Sequence, residues 1–276
     1  MFATGLTRLA VALCLLISLT SCATTFLYNH ADWLIVRQLD RYFDLSRFQT
    51  AFAYRRLDTI LSRHRVEALP RYDAVLQQLA ARVERGLTQE DMAWAFEQYD
   101  QLKADALGRF IADGTDFLRL INDQQVERFR KQLEARWTTE NRDGPEAEAK
   151  KRADRLIAQA REWLGRLTPQ QETDVARLTR QSPDVWLDRH ADQRRRQEQL
   201  VDIVRQRERG DTRDRLSTWM LDPDHDSEHR EVTRQFRSYL TQVILSLDRS
   251  ATVEQRRYCL GKIGELMKTV QALHRA

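Results

Sequence analysis

Leu167-Thr168-Pro169-Gln170-Gln171 combines, in five residues, the features of a helix start. A threonine N-cap accepts a hydrogen bond from a free backbone N–H, proline is tolerated at the first helical position, and glutamine at the third position bonds back to the cap. No segment of the chain alternates apolar and polar residues as a half-buried strand does. We therefore predict an all-α protein, an elongated multi-helix bundle of about ten helices joined by short capped turns.

Other helix boundaries are marked in the same way. Further start signals pair Ser46 with Gln49, Thr88 with Asp91, Ser182 with Pro183, and Thr252 with Gln255. Glycines stand where C-terminal caps are expected, at Gly86, Gly144 and Gly210. The predicted helices, the first of them capped by Asn29, cover residues 30–43, 47–69, 71–85, 89–120, 123–141, 146–166, 169–181, 183–209, 212–221, 227–248 and 253–274.

The N-terminus has the parts of a secretory signal. A positive end with Arg8 precedes an apolar run from Leu9 to Leu19, which is too short to span a bilayer. The stretch Leu19-Thr20-Ser21-Cys22 resembles the lipobox of bacterial lipoproteins. That resemblance implies cleavage after residue 21 and a covalent lipid on Cys22, with an ordinary secretory signal as the alternative.

The lipobox resemblance also implies a location. Ala23 comes directly after the cysteine, where an aspartate would resemble an inner-membrane retention signal. We therefore expect an outer-membrane lipoprotein whose body lies in the periplasm, with residues 22–27 as a short tether. Several acyl chains at one site anchor a protein durably, whereas one chain holds it only marginally.

Length and charge constrain the part of the chain after the signal. Removal of residues 1–21 leaves 255 of the 276 residues, enough for one large or two small domains. The segment from Asn141 to Pro145 is the best break, so we predict helical bundles at 28–141 and 146–276, either separate or sharing one core. A net charge of +4, which falls to +3 when Arg8 is removed, does not require a polyanion, and we expect no nucleic-acid partner.

Three stretches carry a family resemblance: Tyr28 to Ile35, Asp40 to Leu45, and His64 to Tyr72. In this order after a lipobox they resemble a family of proteobacterial lipoproteins of unknown function, DUF6279, most specifically over residues 22–79. The resemblance implies an envelope lipoprotein. It supplies no activity, substrate or cofactor, and it identifies no functional residue except Cys22.

His64 is the most conspicuous polar residue of these stretches. It shares the apolar face of its predicted helix with Leu57, Ile60 and Leu61. We interpret it as a hydrogen-bonded core residue rather than a ligand or catalyst. As a hypothesis, three nearby aspartates form a buried network with three arginines; these are Asp32, Asp40 and Asp44, and Arg41, Arg65 and Arg71.

The pattern of Leu167 to Gln171 is partly repeated at Ile121-Asn122-Asp123-Gln124-Gln125 and more poorly at Leu87-Thr88-Gln89-Glu90-Asp91. Leu167 to Gln171 resembles the Leu-Thr-x-x-Gln motif of the Spy and CpxP periplasmic stress proteins. Those proteins are small helical chaperones and regulators that act without ATP. The simpler interpretation, which we favour, is a capping box alone.

His225-Asp226-Ser227-Glu228-His229 matches H-x-x-E-H, the zinc-binding pattern of inverzincin peptidases. A zinc metallopeptidase is therefore a remote alternative. We favour an acidic, capped first turn of a surface helix, because negative charge there offsets the helix dipole. We accordingly predict no catalytic, metal or cofactor-binding residue.

Two further features have structural interpretations. Residues 188–215 are dense in arginine with interleaved Asp and Glu, which is typical of a solvated helix with many ion pairs. Cys259 is the only cysteine left after removal of the signal and lipidation of Cys22, and its helical context indicates a buried, inert thiol.

We expect a non-enzymatic structural or interaction lipoprotein that holds an unidentified envelope protein. The alternative is a Spy-like chaperone or stress regulator that binds unfolded clients. An exposed concave surface with apolar residues and arginine would favour the chaperone, whereas a closed body would favour the interaction protein. The sequence does not indicate an oligomeric state.

Overall fold

A computed structural model describes residues 21–140 and 145–275, and within these ranges the secondary structure is helical. Residues 1–20 of the predicted signal 1–21, residues 141–144 of the predicted break 141–145, and residue 276 lie outside these ranges. A 3₁₀ turn, Pro223–His225, lies between the helices Thr212–Leu221 and Ser227–Arg249. The thirteen α-helices of the described ranges are α1 Ser21–Asn29, α2 Ala31–Phe43, α3 Arg47–Glu67, α4 Leu69–Arg85, α5 Gln89–Gly108, α6 Ile111–Leu120, α7 Asp123–Glu140, α8 Pro145–Leu164, α9 Pro169–Arg180, α10 Pro183–Arg205, α11 Thr212–Leu221, α12 Ser227–Arg249 and α13 Val253–Arg275.

The all-α prediction is confirmed, with more helices than expected. Residues 22–27, expected to be a tether, lie within α1. The predicted helix 89–120 is two helices, because α5 ends at Gly108 and α6 begins at Ile111.

The largest apolar core joins residues from both predicted bundles. Phe43 of α2 stacks on Phe129 of α7 with ring centroids 4.8 Å apart. Ile203 and Val204 of α10 and Trp219 of α11 are buried in the same cluster. Residues 28–141 and 146–276 therefore contribute side chains to one continuous core.

A second link between the two ends of the chain is the antiparallel pairing of α4 with α13. Leu69 at the start of α4 packs with Leu273 at the end of α13. Val83 near the end of α4 packs with Ile263, nearer the start of α13. The C-terminal helix is thus held against an N-terminal one along its length.

Two pairs of helix starts are tied together by glutamines. Gln171 accepts from the N–H of its own cap Thr168, and Gln255 does the same for Thr252. The amide Nε2 of Gln171 donates to Oε1 of Gln255 at 2.9 Å, and Nε2 of Gln255 donates back to Oε1 of Gln171 at 2.9 Å. The Nε2 of Gln171 also donates to the Ser250 carbonyl, and the Nε2 of Gln255 donates to the Arg166 carbonyl. Each of these carbonyls lies two residues before the N-cap of the other helix.

The same arrangement occurs at the other pair of turns. Gln49 and Gln125 exchange amide bonds of 2.9 and 2.8 Å while each closes the capping box of its own helix. Their Nε2 atoms donate to the carbonyls of Leu120 and Asp44, again two residues before the partner's cap. The helix pairs α3–α7 and α9–α13 therefore begin with the same reciprocal contact.

Several predicted helix caps are not formed, for identifiable reasons. Asn29 does not cap α2, because its side chain accepts from Arg65 and His30 occupies the cap position. Ser182 makes no side-chain cap bond, although α10 begins at Pro183 as predicted. Gly210 is not a helix cap, because α10 ends at Arg205 and the turn is held by the Thr212 hydroxyl, which donates to nearby carbonyls.

Glycine with positive φ ends two helices. Gly86 comes directly after α4 with φ 93°, as predicted, and Gly165 comes directly after α8 with φ 72°, one residue inside the predicted helix 146–166. A residue with a Cβ rarely adopts a positive φ, so glycine favours the chain reversal at both places. Gly144 lies outside the described residues.

Candidate functional site

An open groove of about 540 Å³ lies between α5, α9 and α12. The capping box of Thr88 and Asp91 starts α5, and the glutamine-linked turn at Thr168 starts α9. Two walls of the groove therefore begin at tightly bonded helix starts. The lining residues are Gln89, Ala93 and Phe96 from α5, Arg177 and Leu178 from α9, and Arg237, Ser238, Thr241, Gln242, Leu245, Ser246 and Arg249 from α12.

Among the described residues, those that line the groove include three arginines and no carboxylate. Arg237 donates to both oxygens of Asp100 at 2.7 Å and lies over the Phe96 ring, 5.2 Å from its centroid. Arg177 pairs with Asp174 at 3.1 Å. The two aspartates are not lining residues, and they offset two of the three positive charges, so the charge of Arg249 is left on the groove surface.

Arg249 is placed differently from the other two arginines. It is exposed, and its Nε donates to the backbone carbonyl of Leu245 at 3.1 Å. Gln242 and Ser238 line the same wall of α12. This surface suits a ligand that brings carboxylates and hydrogen-bond acceptors alongside apolar groups.

His64 is a core residue, as interpreted from the sequence. It is 6% exposed, and its Nδ1 and Nε2 lie 2.9 and 3.0 Å from the hydroxyls of Tyr28 and Tyr72. Burial lowers the His64 pKa to about 4 and raises the Tyr28 pKa to about 12. The site holds a neutral imidazole between two phenols.

The hypothesised aspartate–arginine network around His64 is wrong. Asp40 accepts from the Leu45 N–H, and the exposed Asp44 pairs with Arg128 of α7. Arg65 donates to Asn29. Arg71 pairs with Asp105 of α5.

The H-x-x-E-H residues do not share one helix. His225 ends the 3₁₀ turn, and Asp226 caps α12 by accepting from the N–H groups of Glu228 and His229. The capped acidic first turn is therefore as predicted. His229 Nδ1 lies 2.8 Å from the buried Asp192, and its Nε2 lies 3.3 Å from Thr233.

No group of three or more His, Cys, Asp or Glu side chains is arranged to hold a metal within the described ranges. None of the helices there is long and apolar enough to cross a membrane.

The segment 188–215 contains the predicted ion pairs, but part of it is buried. Arg194 pairs with Glu198 and Glu134, and Arg215 pairs with Asp202. Arg207 is only 5% exposed and donates to the Ile121 carbonyl. This segment thus packs into the core and does not form a solvated stripe.

Cys259 is free and buried, as interpreted from the sequence, and burial raises its thiol pKa to about 11. Cys22 lies in the first turn of α1. Its lipidation remains a prediction.

A family model matches residues 41–229, and its description is a family of unknown function, DUF6279. The chain belongs to DUF6279. No curated protein and no solved structure matches it. The DUF6279 match begins at Arg41, after the first stretch on which the sequence resemblance rested, and it extends far beyond residue 79.

The DUF6279 region contains two walls of the groove, α5 and α9, and ends near the start of α12. Arg237 and Arg249 therefore lie outside it. The resemblance of Leu167 to Gln171 to Spy and CpxP stays a prediction, although its glutamine does more than cap a helix.

Sequence reasoning did not find the groove. The groove side chains of α12 recur about every four residues, at Arg237, Thr241, Leu245 and Arg249, which marks one helix face. That periodicity was a usable signal. It did not reveal which helices lie opposite, and so it did not define a site.

Proposed function

We propose that this DUF6279 protein is an envelope lipoprotein, anchored through a lipid on Cys22 at the periplasmic face of the outer membrane. Its helical body is a non-enzymatic interaction module that holds an envelope protein. The observation that carries the interaction role is the groove between α5, α9 and α12, whose lining in the described part of the chain has three arginines and no carboxylate. The lipobox resemblance of Leu19 to Cys22 supports the anchor.

The chemistry of the groove favours a specific protein partner over unfolded clients. Polar side chains such as the exposed Gln242 and Ser238 stand there among partly buried apolar ones. None of the large hydrophobic side chains left exposed in the described ranges lines the groove; these are Phe26, Trp33, Phe48, Val66, Leu187, Val253 and Tyr258. A client-binding surface needs such apolar area in one place.

A Spy-like chaperone is the second candidate. The observation in its favour is that the groove is concave and combines apolar residues with arginine, as Phe96 and Leu178 lie beside Arg237 and Arg177.

In-cell photo-crosslinking separates the two functions. A photoreactive residue replaces Gln242 in the groove of the full-length protein, and the matched control replaces Leu187, which is 62% exposed and outside the groove. We expect one discrete crosslinked product from position 242 and none from position 187. When Arg177→Glu and Arg249→Glu are added to the protein with the photoreactive residue at position 242, the yield of that product should fall at least threefold.

A smear of many products that grows under heat stress would favour the chaperone. Equal products from positions 242 and 187 would refute the groove as the binding site. Membrane fractionation of Cys22→Ala checks the anchor separately, because we expect that variant to leave the outer-membrane fraction.

A further inference from the structure

We propose that the exposed face of α1 and α2 that carries Phe26, Trp33 and Arg37 lies flat on the lipid surface. The inference rests on the proposed lipid anchor, and it adds a second membrane contact made by the protein itself. Phe26 is 57% and Trp33 44% exposed.

The three side chains belong to one stripe. The helical hydrogen bonds continue through His30, since its N–H donates to the Phe26 carbonyl and its carbonyl accepts from Leu34, both at 3.0 Å. Residues seven and eleven positions apart lie within about 20° of one another around a helix that turns 100° per residue. Trp33 and Arg37 therefore share one face of α2, and the bonds across His30 place Phe26 near the same side, although the His30 backbone itself is not helical (φ −113°, ψ 21°).

The opposite face of these helices is fixed to the body. Tyr28 is 8% exposed and contacts His64, and Tyr42, at 3%, packs against Phe129 of α7. Because this face is anchored in the core, the aromatic stripe has one fixed direction, and no rotation of the helix can hide it.

The chemistry of the stripe matches a bilayer interface. Tryptophan and other amphipathic rings are enriched at the headgroup level of membranes. The guanidinium of Arg37 lies 5.2 Å from the Trp33 ring centroid, which leaves a cation beside the ring where lipid phosphates would be. Exposed Asp40 lies one turn beyond Arg37, and its carboxylate is turned to the Leu45 N–H.

The stripe begins close to the proposed lipid attachment site at Cys22, and this favours lipid as the surface that the stripe contacts. Cys22 lies one turn before Phe26 in α1, about 6 Å along the axis, and Trp33 lies about 16 Å from it. A lipid chain on Cys22 would place the start of the stripe at the membrane.

The test uses the lipidated full-length protein in vesicles of phosphatidylethanolamine and phosphatidylglycerol, with and without bromine on the acyl chains. Bromine quenches tryptophans that contact the acyl region. We expect bromolipid quenching in the wild type that is lost in Trp33→Phe. Trp94→Phe is the matched control, since Trp94 lies under Arg82, 3.7 Å from its ring centroid, and should leave the quenching unchanged.

Two further variants in the Trp33→Phe background locate the contact. Phe26→Trp should restore the quenching. Val253→Trp should not, because Val253, although 69% exposed, lies twenty residues and about 30 Å along α13 from Leu273, which packs beside Tyr28.

Flotation of the vesicles distinguishes the two proposals. Protein that floats but shows no quenching dependent on Trp33 would overturn the membrane face and leave the anchor standing. Protein that does not float would overturn both. Disulfide-linked dimers of Trp33→Cys, without quenching in the wild type, would assign the face to a second copy and overturn the lipid contact.

Discussion

At the scale of single residues, His64 shows how burial converts a motif residue into a structural one. Both ring nitrogens lie within hydrogen-bond distance of tyrosine hydroxyls, and the side chain is 6% exposed. Protonation would put a charge into this apolar site while removing the imidazole's acceptor. The histidine therefore contributes to stability only in its neutral form.

We predict that the free energy of unfolding falls as the pH drops from about 6.5 to about 4. The His64 pKa is about 4 in the folded state, so between these values the unfolded state binds the extra proton. The loss should approach about 3 kcal/mol at the lower end. Urea unfolding as a function of pH measures it.

Two variants isolate this effect. His64→Gln should be less stable at pH 7 but should lose the pH dependence in that window. His30→Gln removes an exposed imidazole and should keep it. An unchanged pH profile in His64→Gln would contradict the prediction.

At the scale of helices, the reciprocal glutamines are the principal device that joins distant turns. Gln171 is 2% and Gln255 6% exposed, so their amides are shielded from water. Each one satisfies the N–H of its own cap and a carbonyl of the other turn. Loss of one partner leaves buried polar groups unpaired, which costs more than the bond itself contributes.

We predict that Gln171→Ala lowers the free energy of unfolding by about 2 kcal/mol. Gln255→Ala should cost a similar amount, and the double variant should cost less than both together by at least about 0.5 kcal/mol, because the two residues share their bonds. Urea unfolding of the three variants and the wild type at pH 7 measures these differences.

Gln170→Ala is the control for the glutamine pair. Gln170 is exposed and bonds to Asp174 within its own helix, so its loss should change stability by less than about 0.5 kcal/mol. Strict additivity of Gln171→Ala and Gln255→Ala would show that each glutamine serves only as a cap.

At the scale of the whole molecule, the two predicted bundles are interlocked. The largest core joins Phe43 and Phe129 to Val204 and Trp219, and α13 runs along α4. The groove likewise needs α5 from the first segment and α9 and α12 from the second. Binding through this groove therefore depends on assembly of both segments.

We predict that a fragment of residues 22–141 does not unfold cooperatively. Without α10, α11 and α13 it would expose the apolar surfaces that Ile203, Trp219 and Ile263 cover in the whole chain. Thermal unfolding followed by circular dichroism, with a dye that binds exposed apolar surface, compares it with the full-length protein. A sharp transition near that of the full-length protein would show that the first segment is an independent domain.

The sequence by itself determined the helical class and many of the helix starts. It also contains the motif on which the predicted lipidation of Cys22 rests. These depend on interactions within about four residues, as in the capping boxes of Thr88 and Thr168. The burial of His64 could be inferred from helical periodicity for the same reason. Local patterns are sufficient for such features.

Only the tertiary structure decided which of these elements meet. Gln171 and Gln255 are 84 positions apart, and Arg237 and Asp100 are 137 apart. No local propensity encodes such pairings, because they depend on how all the helices pack together. The same is true of the groove and of the outward direction of Phe26 and Trp33, each of which depends on side chains that lie far away in the chain.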